Sequence, residues 1–300
     1  MRARLLRLRK ALTRFSLVWL IRLIRLFACI VPYRLGVWGG GVFGSLAYYA
    51  LPRERKRTID HLTKVFGDKG SLWIAGTARR CFKHLGKSLL EVMLMTPRRA
   101  AELIDFVGEN NTKDALGRGR GVIVVTGHIG NWELIPHAAA ARNYPMSVIA
   151  APLEPERMND MIVGLRARLG VRTILRSRPG STKELIRVFK ENRLLGLLID
   201  QDTDVDGVFV DFMGFPAWTP TAAASMALKF DAPVLFATIR RMKNNRHTAT
   251  IEGPLDLVRS GNAEQDILTN TALFTKKLED RIRECPEQWV WMHRRWRRQP

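Results

Sequence analysis

His128 and Glu133, five residues apart in the run V-V-T-G-H-I-G-N-W-E-L, are the residues whose types and spacing most directly suggest chemistry. An imidazole steered by a carboxylate can take a proton from a hydroxyl and carry the resulting charge. No serine or cysteine stands nearby to act as nucleophile, so that hydroxyl would belong to a substrate. The context strengthens the pair. Residues 121–126, GVIVVT, form a β-branched run between Gly119 and Gly127 and predict a short buried strand. Gly127 then allows a tight turn, and His128 emerges at the strand's C-terminal edge, where ligands bind in open α/β sheets. Glu133 would open the next helix, with the loop between folding back to bring the carboxylate to the imidazole. Without that context the pair would read as a core histidine and a helix-starting glutamate.

The elements that must position this pair follow from periodicity. Helices are predicted over residues 79–95, 132–142 (with Pro136 in the first turn), 156–169, 182–191, 221–230 and 262–284. Strands are predicted over residues 121–126, 146–150, 173–175, 194–199, 234–240 and 247–251. Strand and helix alternating in this way argue for an α/β fold, a single layered domain with a largely parallel central sheet. No internal repeat, low-complexity tract or long linker interrupts it.

Charge adds a second layer of organisation. The 300 residues carry a net charge of +21, which calls for an acidic partner: nucleic acid, an anionic membrane, or an acidic substrate or carrier. Residues 1–53 hold ten Lys and Arg and no acid before Glu54. They also contain two apolar runs, residues 15–31 and the uncharged residues 35–51. On a helix, Arg14, Arg22 and Arg25 fall on roughly one side while Trp19, Leu20, Leu23, Ile24 and Phe27 crowd the other. That pattern predicts an interfacial helix with Arg14, Trp19, Arg22 and Arg25 contacting the membrane. A tilted span or an internal core helix are the alternatives, and no small-residue site indicates signal-peptide cleavage. Residues 1–53 are therefore expected to form an N-terminal membrane-binding helical arm, and residues 54–300 the catalytic domain. The 46% hydrophobic content excludes a disordered chain, and recurring charges exclude a polytopic membrane protein. Cys29, Cys81 and Cys285 are too scattered for a disulfide framework or a zinc site.

Two further patterns invite other chemistry. Asp202-x-Asp204-x-Asp206-Gly207 matches the first half of a calcium loop, but Met213 stands where the bidentate glutamate is due, so no metal is expected. The basic, aromatic W-M-H-R-R-W-R-R near residue 300 suits nucleic acid, lipid head groups or a solvated tail. No nucleic-acid motif accompanies it, and Arg295 is expected to be replaceable by lysine at little cost. His61, His84, His137 and His247 lack partner patterns and read as structural or surface residues.

G-H-I-G-N-W-E resembles the His-x4-Glu motif of the lipid A late acyltransferases, the lauroyl/myristoyl-type enzymes of Gram-negative bacteria. Residues 198–211, L-I-D-Q-D-T-D-V-D-G-V-F-V-D, with the following F-M-G-F-P-A-W-T-P, are similar to that family's Asp-containing segment. P-E-Q-W-V-W-M-H-R-R-W-R-R-Q-P is similar to its closing segment. Arg55 to Leu62 fits an early Arg…Asn-Leu region, with His61 in the place of Asn. Thr221-Ala222-Ala223-Ala224 replaces the family's Thr-Gly-Pro-Ala, which would reshape the acyl pocket.

The resemblance implies a glycerolipid-acyltransferase-like fold acting at the cytoplasmic face of a bacterial inner membrane, without a cofactor. It implies acyl transfer from acyl carrier protein to a 3-hydroxyl on a phosphorylated lipid A precursor. His128 would be the base and Glu133 its orienting carboxylate. Arg166, Asp200 and Asn131 would bind substrate, with Arg168 as the alternative to Arg166 if the register slips by two. Backbone N–H groups near Gly130, or the Arg166 guanidinium, would face the oxyanion. A glycerolipid or lysophospholipid acyltransferase, whose motif usually ends in Asp, and a catalytically silent lipid-binding protein of the same fold are the alternatives. The intact His128/Glu133 pair favours an enzyme.

Overall fold

The computed structural model describes residues 31–153, 156–176 and 178–300. Arg14, Trp19, Arg22 and Arg25, the expected membrane contacts, lie outside the described residues. The described chain runs α1 (Tyr33–Ala50), α2 (Pro52–Phe66), α3 (Ser71–Leu94), α4 (Pro97–Leu103), β1 (Ile104–Val107), α5 (Glu109–Gly117) and β2 (Val122–Thr126). It continues with α6 (Leu134–Ala141), β3 (Met146–Ala150), α7 (Glu156–Arg168), β4 (Arg172–Leu175), α8 (Ser181–Lys190) and β5 (Leu194–Leu198). Then come β6 (Gly207–Phe212), β7 (Phe215–Pro220), α9 (Ala222–Phe230), β8 (Val234–Arg241), β9 (His247–Glu252) and α10 (Ala263–Glu284).

Seven strands form the central sheet in the order β1-β9-β8-β2-β5-β3-β4. Every pairing is parallel except β8 with β9, an antiparallel hairpin inside the sheet. β2 is buried along its whole length because both faces are covered. Ile123 and Val125 pack with Phe236, Phe274, Leu278 and the tryptophans Trp289 and Trp291 on one side. Val122 and Val124 pack with Leu134, Ile135, Ala138 and Met146 on the other. Helical cover on both faces is what lets an all-apolar strand run through the middle.

Several elements depart from the sequence expectation. α3 begins at Ser71, two full turns before residue 79, and α2, α4, β1 and α5 were not anticipated. The stretch after Asp200 is no plain loop: β6 and β7 form an antiparallel ribbon, with Val210 opposite Ala217, that packs on α10 and the tryptophan cluster. The alternation V-F-V-D-F was legible there, but the aspartates before it and Pro216 within it masked the signal.

α1 crosses α3 at close range. A Cβ built on Gly44 would lie 2.1 Å from the Phe82 carbonyl oxygen, and one on Gly86 would lie 2.2 Å from the Gly40 carbonyl oxygen. Only hydrogen at these positions permits the backbones to approach so closely. The opposite face of α1 is apolar yet uncovered, with Trp38 68%, Phe43 52% and Leu46 63% exposed.

Gly86→Ala should therefore lose about 1–3 kcal/mol of unfolding free energy, since the clash is with backbone and cannot be relieved by a rotamer change. Gly39→Ala, on the same helix pair but with nothing within 4 Å of its Cβ, should gain about 0.5–1 kcal/mol from helix propensity. Urea melts of the two variants check the contrast; a stabilised Gly86→Ala would refute the close crossing.

Candidate active site

β2 and β5 are parallel neighbours, with Thr126 paired to Leu198. Two residues further along each strand stand His128 and Asp200, so the register alone brings them to the same edge. His128 Nδ1 lies 2.7 Å from Asp200 Oδ1, and the His128 backbone N–H donates to Asp200 Oδ2 at 2.7 Å. The Trp289 indole N–H donates to the same oxygen at 2.7 Å. Gly127 makes the approach possible: a Cβ there would sit 2.4 Å from Leu278 and 3.0 Å from Asp200 Oδ2.

This geometry corrects the expected roles. The carboxylate that meets the imidazole is Asp200, which is 1% exposed and thus positions His128 rather than binding substrate. Burial alone would raise its carboxyl pKa, but the His128 ring, the Trp289 indole and the His128 N–H together hold it well below the usual range. Glu133 does not orient His128. It pairs with Arg166, which donates Nε at 3.0 Å and Nη2 at 2.6 Å in a two-pronged bond. Burial again opposes ionisation, and Arg166 overcomes it, keeping the Glu133 carboxyl low. Arg166 rises from the last turn of α7 into this pairing, whereas Arg168 is exposed.

Asn131 also has a different task. It is buried and donates to the Ser88 carbonyl at 3.2 Å and to Glu91 Oε2 at 2.9 Å. Glu91 is the centre of a buried polar network. It accepts Arg241 Nη2 at 2.7 Å and Tyr33 Oη at 2.9 Å, and His247 Nε2 lies 3.2 Å away. His84 lies 3.3 Å from Arg241 Nε, and burial beside that cation drops its pKa to about 3. His137 is buried too, its pKa pushed down to about 4 by burial. Two of these histidines, His84 and His247, thus belong to a network that no local spacing revealed.

That network holds the loop carrying His128. Gln288 exchanges bonds with the Arg241 backbone, accepting its N–H at 2.8 Å and donating to its carbonyl at 3.0 Å. Gly130 N–H donates to the Gln288 carbonyl at 2.9 Å, and Val290 N–H to the His128 carbonyl at 3.3 Å. Gly130 sits at φ +61°, and a Cβ would meet the Ile239 carbonyl oxygen at 1.8 Å. The segment 286–296 is therefore a strap across the catalytic loop, not a solvated tail. Arg295 is fully buried, bonded to the Trp218 carbonyl and to Thr219 Oγ1 at 2.6 Å, and lies over the Phe212 ring. Burial lowers its pKa to about 10. Replacement by lysine would not be silent.

Two groups at the site escaped the sequence reading. Gln201 places its amide nitrogen 3.0 Å from His128 Nε2 and 2.7 Å from His293 Nε2. The calcium-like aspartates are otherwise engaged: Asp202 accepts Arg297 Nη2 at 3.1 Å and the Arg298 N–H at 2.8 Å, and Asp204 pairs with Arg298. Among the described residues no group of three or more His, Cys, Asp or Glu side chains could hold a metal ion. With Nδ1–H committed to Asp200, His128 presents Nε2 as a proton acceptor at the C-terminal edge of the sheet. The arrangement is that of a general base.

Trp289→Phe keeps an aromatic ring, with some loss of volume, but removes one donor from the buried Asp200 carboxylate. Unfolding free energy should fall by about 1.5–3 kcal/mol, the worth of a hydrogen bond to a charged group. An unchanged denaturation midpoint would show that the indole bond does not support the dyad.

The family of bacterial lipid A biosynthesis acyltransferases matches residues 6–298. A phosphatidylinositol mannoside acyltransferase of Mycobacterium tuberculosis is 27% identical over 154 residues, half of this chain, and the chain spans about half that relative's length (48%). One of Mycolicibacterium smegmatis is 24% identical over 265 residues, covering 85% of this chain and 84% of the relative. The lipid A biosynthesis lauroyltransferase of Escherichia coli is 23% identical over 300 residues, 96% of this chain and 93% of that protein. With the match running over nearly its whole length, the chain belongs to the bacterial lipid A biosynthesis acyltransferase family.

Proposed function

We propose that the protein transfers a fatty acyl chain from an acyl-carrier-protein thioester to a hydroxyl on a phosphorylated lipid A precursor. The observation that carries this reading is the Asp200–His128 dyad, whose Nε2, opposite the bond to Asp200, is suited to deprotonating an alcohol. His128 takes the hydroxyl proton as the alkoxide oxygen attacks the thioester carbonyl carbon. Asp200 stabilises the imidazolium that forms. Collapse of the tetrahedral intermediate breaks the C–S bond, and His128 returns the proton to the departing thiolate. Arg166, held by Glu133, is the candidate for substrate phosphate or oxyanion.

A second acceptor deserves equal treatment, because relatives named for phosphatidylinositol mannoside match this chain about as well as the lauroyltransferase does. Both acceptors are anionic glycolipids bearing a hydroxyl, so one base would serve either. Mass spectrometry of lipid A and of the polar glycolipids, from cells with and without the gene, separates them. A missing acyl chain on lipid A supports the first acceptor, and one on another glycolipid supports the second.

His128→Ala and Asp200→Asn should each lower kcat/KM about 10²–10⁴-fold in folded, purified protein. Near-normal turnover by His128→Ala would remove the mechanism. Arg166→Lys should also fall sharply, because lysine cannot reproduce the paired fork on Glu133.

The reaction is proposed to take place at an anionic membrane, the cytoplasmic face of a bacterial inner membrane. Among the described residues no helix is long and apolar enough to cross a membrane. Support comes instead from the outer face of α1, where Trp38, Phe43 and Leu46 are exposed. An uncovered apolar helix face on a strongly basic chain fits the boundary between acyl chains and acidic head groups. Changing Trp38, Phe43 and Leu46 together to Ser should reduce flotation with phosphatidylglycerol vesicles about tenfold or more. Full retention of binding would place the attachment elsewhere, in residues 1–30.

A further inference from the structure

The amide nitrogen of Gln201 lies 3.0 Å from His128 Nε2, the nitrogen that carries the lone pair of the base. An acceptor hydroxyl must put its oxygen about 2.6–3.2 Å from that same nitrogen to surrender its proton. The amide and the hydroxyl therefore compete for one position. Gln201 follows Asp200 directly, so the residue that orients the base on its Nδ1 side is adjacent to the residue that covers its Nε2 side.

The amide is tethered. Its nitrogen also lies 2.7 Å from His293 Nε2 and 3.3 Å from His293 Nδ1, and the His128 and His293 rings stand 5.0 Å apart in an edge-to-face arrangement. An amide nitrogen has two N–H bonds, one for each ring, and both imidazoles must be neutral at Nε2 to accept them. His128 meets that condition because its ring proton is on Nδ1, facing Asp200. Burial, with His128 nearby, lowers the His293 pKa to about 4 and keeps that ring neutral, and acceptance at Nε2 then requires its proton on Nδ1. His293 in turn sits on the strap, where its backbone N–H donates to the Val290 carbonyl at 3.2 Å. Losing His128 costs the amide only one of its two partners.

We propose that Gln201, tethered by His293, is a displaceable cap on the base: its amide holds the acceptor-hydroxyl position at His128 Nε2 against water and yields it to the acceptor, so that the thioester is transferred and not hydrolysed. The proposal rests on the acyl-transfer reading above. Its chemical content is a choice between two nucleophiles. A water at Nε2 would lose a proton to His128 and attack the thioester carbon; the C–S bond would break, and the proton would pass to the thiolate, giving a carboxylic acid and a thiol. An acceptor hydroxyl in the same place gives the ester and the thiol. Gln201 and His293 are positioning residues here, since neither exchanges a proton with the reacting atoms.

The test uses the full chain with Gln201→Ala, Gln201→Asn, His293→Ala and the Gln201→Ala/His293→Ala pair, each first shown to melt cooperatively. Two measurements are made: fatty acid released from acyl-carrier-protein thioester without acceptor, and carbethoxylation of His128 by diethyl pyrocarbonate, read by peptide mass spectrometry. Gln201→Ala should raise acceptor-free hydrolysis and His128 labelling about tenfold, the order expected for one hydrogen bond. It should also lower the acceptor KM by a larger factor than it changes kcat, because no cap remains to be displaced. Gln201→Asn, one methylene too short to bridge both rings, should shift both readouts in the same direction. His293→Ala should raise hydrolysis less, and the double variant should equal Gln201→Ala, because His293 acts through the amide. Unchanged hydrolysis and labelling in Gln201→Ala, or additive effects in the double variant, overturn the cap. A wild-type protein that transfers no acyl chain from the thioester even with phosphorylated lipid A precursor or phosphatidylinositol mannoside supplied as acceptor, with His128 labelling still raised in Gln201→Ala, overturns the acyl-transfer reading and leaves the cap standing.

Discussion

One buried carboxylate organises this molecule. Asp200 accepts the His128 ring, the His128 backbone N–H and the Trp289 indole, each at 2.7 Å. Removing an ionised carboxylate from water costs several kcal/mol, and the cost is offset only when every lone pair finds a donor in good geometry. The donors come from the edge of β2 and from the strap that crosses it. The same bonds that compensate the buried charge also fix the tautomer and the aim of the imidazole. Stability of the site and competence of the base are therefore two aspects of one arrangement.

A second buried charge does a different job. Glu91 on α3 gathers Arg241 of β8, Tyr33 of α1, His247 of β9 and Asn131 of the catalytic loop. A buried ion pair of this kind contributes little net stability against a well-packed apolar alternative. What it supplies is registry. Four segments distant in sequence must arrive in one relation before its hydrogen bonds close, and Asn131 makes the catalytic loop one of them. Gln288 then links Arg241 to the strap, so the network around Glu91 and the dyad around Asp200 are mechanically continuous.

How much of this was legible follows from which contacts are local. The strand before His128 could be read from its β-branched run, and its glycine flank predicted the turn. The helices over α7, α8 and α10 followed from periodicity. The orienting carboxylate did not, because spacing within one segment pointed to Glu133. Asp200 lies 72 residues away, and only the pairing of β2 with β5 brings it close. A sequence-level signal did exist: two predicted parallel strands, each followed two residues later by a titratable group. The burial of Arg295 had no such signal, since arginine is so seldom fully buried that composition argues against it. The ribbon β6–β7 was hidden for a related reason, its aspartates and prolines speaking for a loop while the packing of Phe212 and Ala217 against α10 made a strand pair.

The strap explains why the basic segment is rich in tryptophan. A segment that must hold a catalytic loop needs anchors that combine large apolar area with a directed donor, and indole offers both. Trp289 and Trp291 pack edge-to-face at 4.7 Å, one donating to Asp200 and the other to the Pro286 carbonyl at 2.6 Å. Phenylalanine would fill the space without fixing the orientation, and arginine would fix the orientation at a larger desolvation cost. The arginines that follow them divide by environment. Arg295 turns inward onto Phe212, and Arg297 and Arg298 turn outward to Asp202 and Asp204. That pairing draws the loop carrying Gln201 toward the segment carrying His293. The aspartates that resemble a calcium loop thus find cations from the protein itself, and in doing so they keep the amide between its two imidazoles.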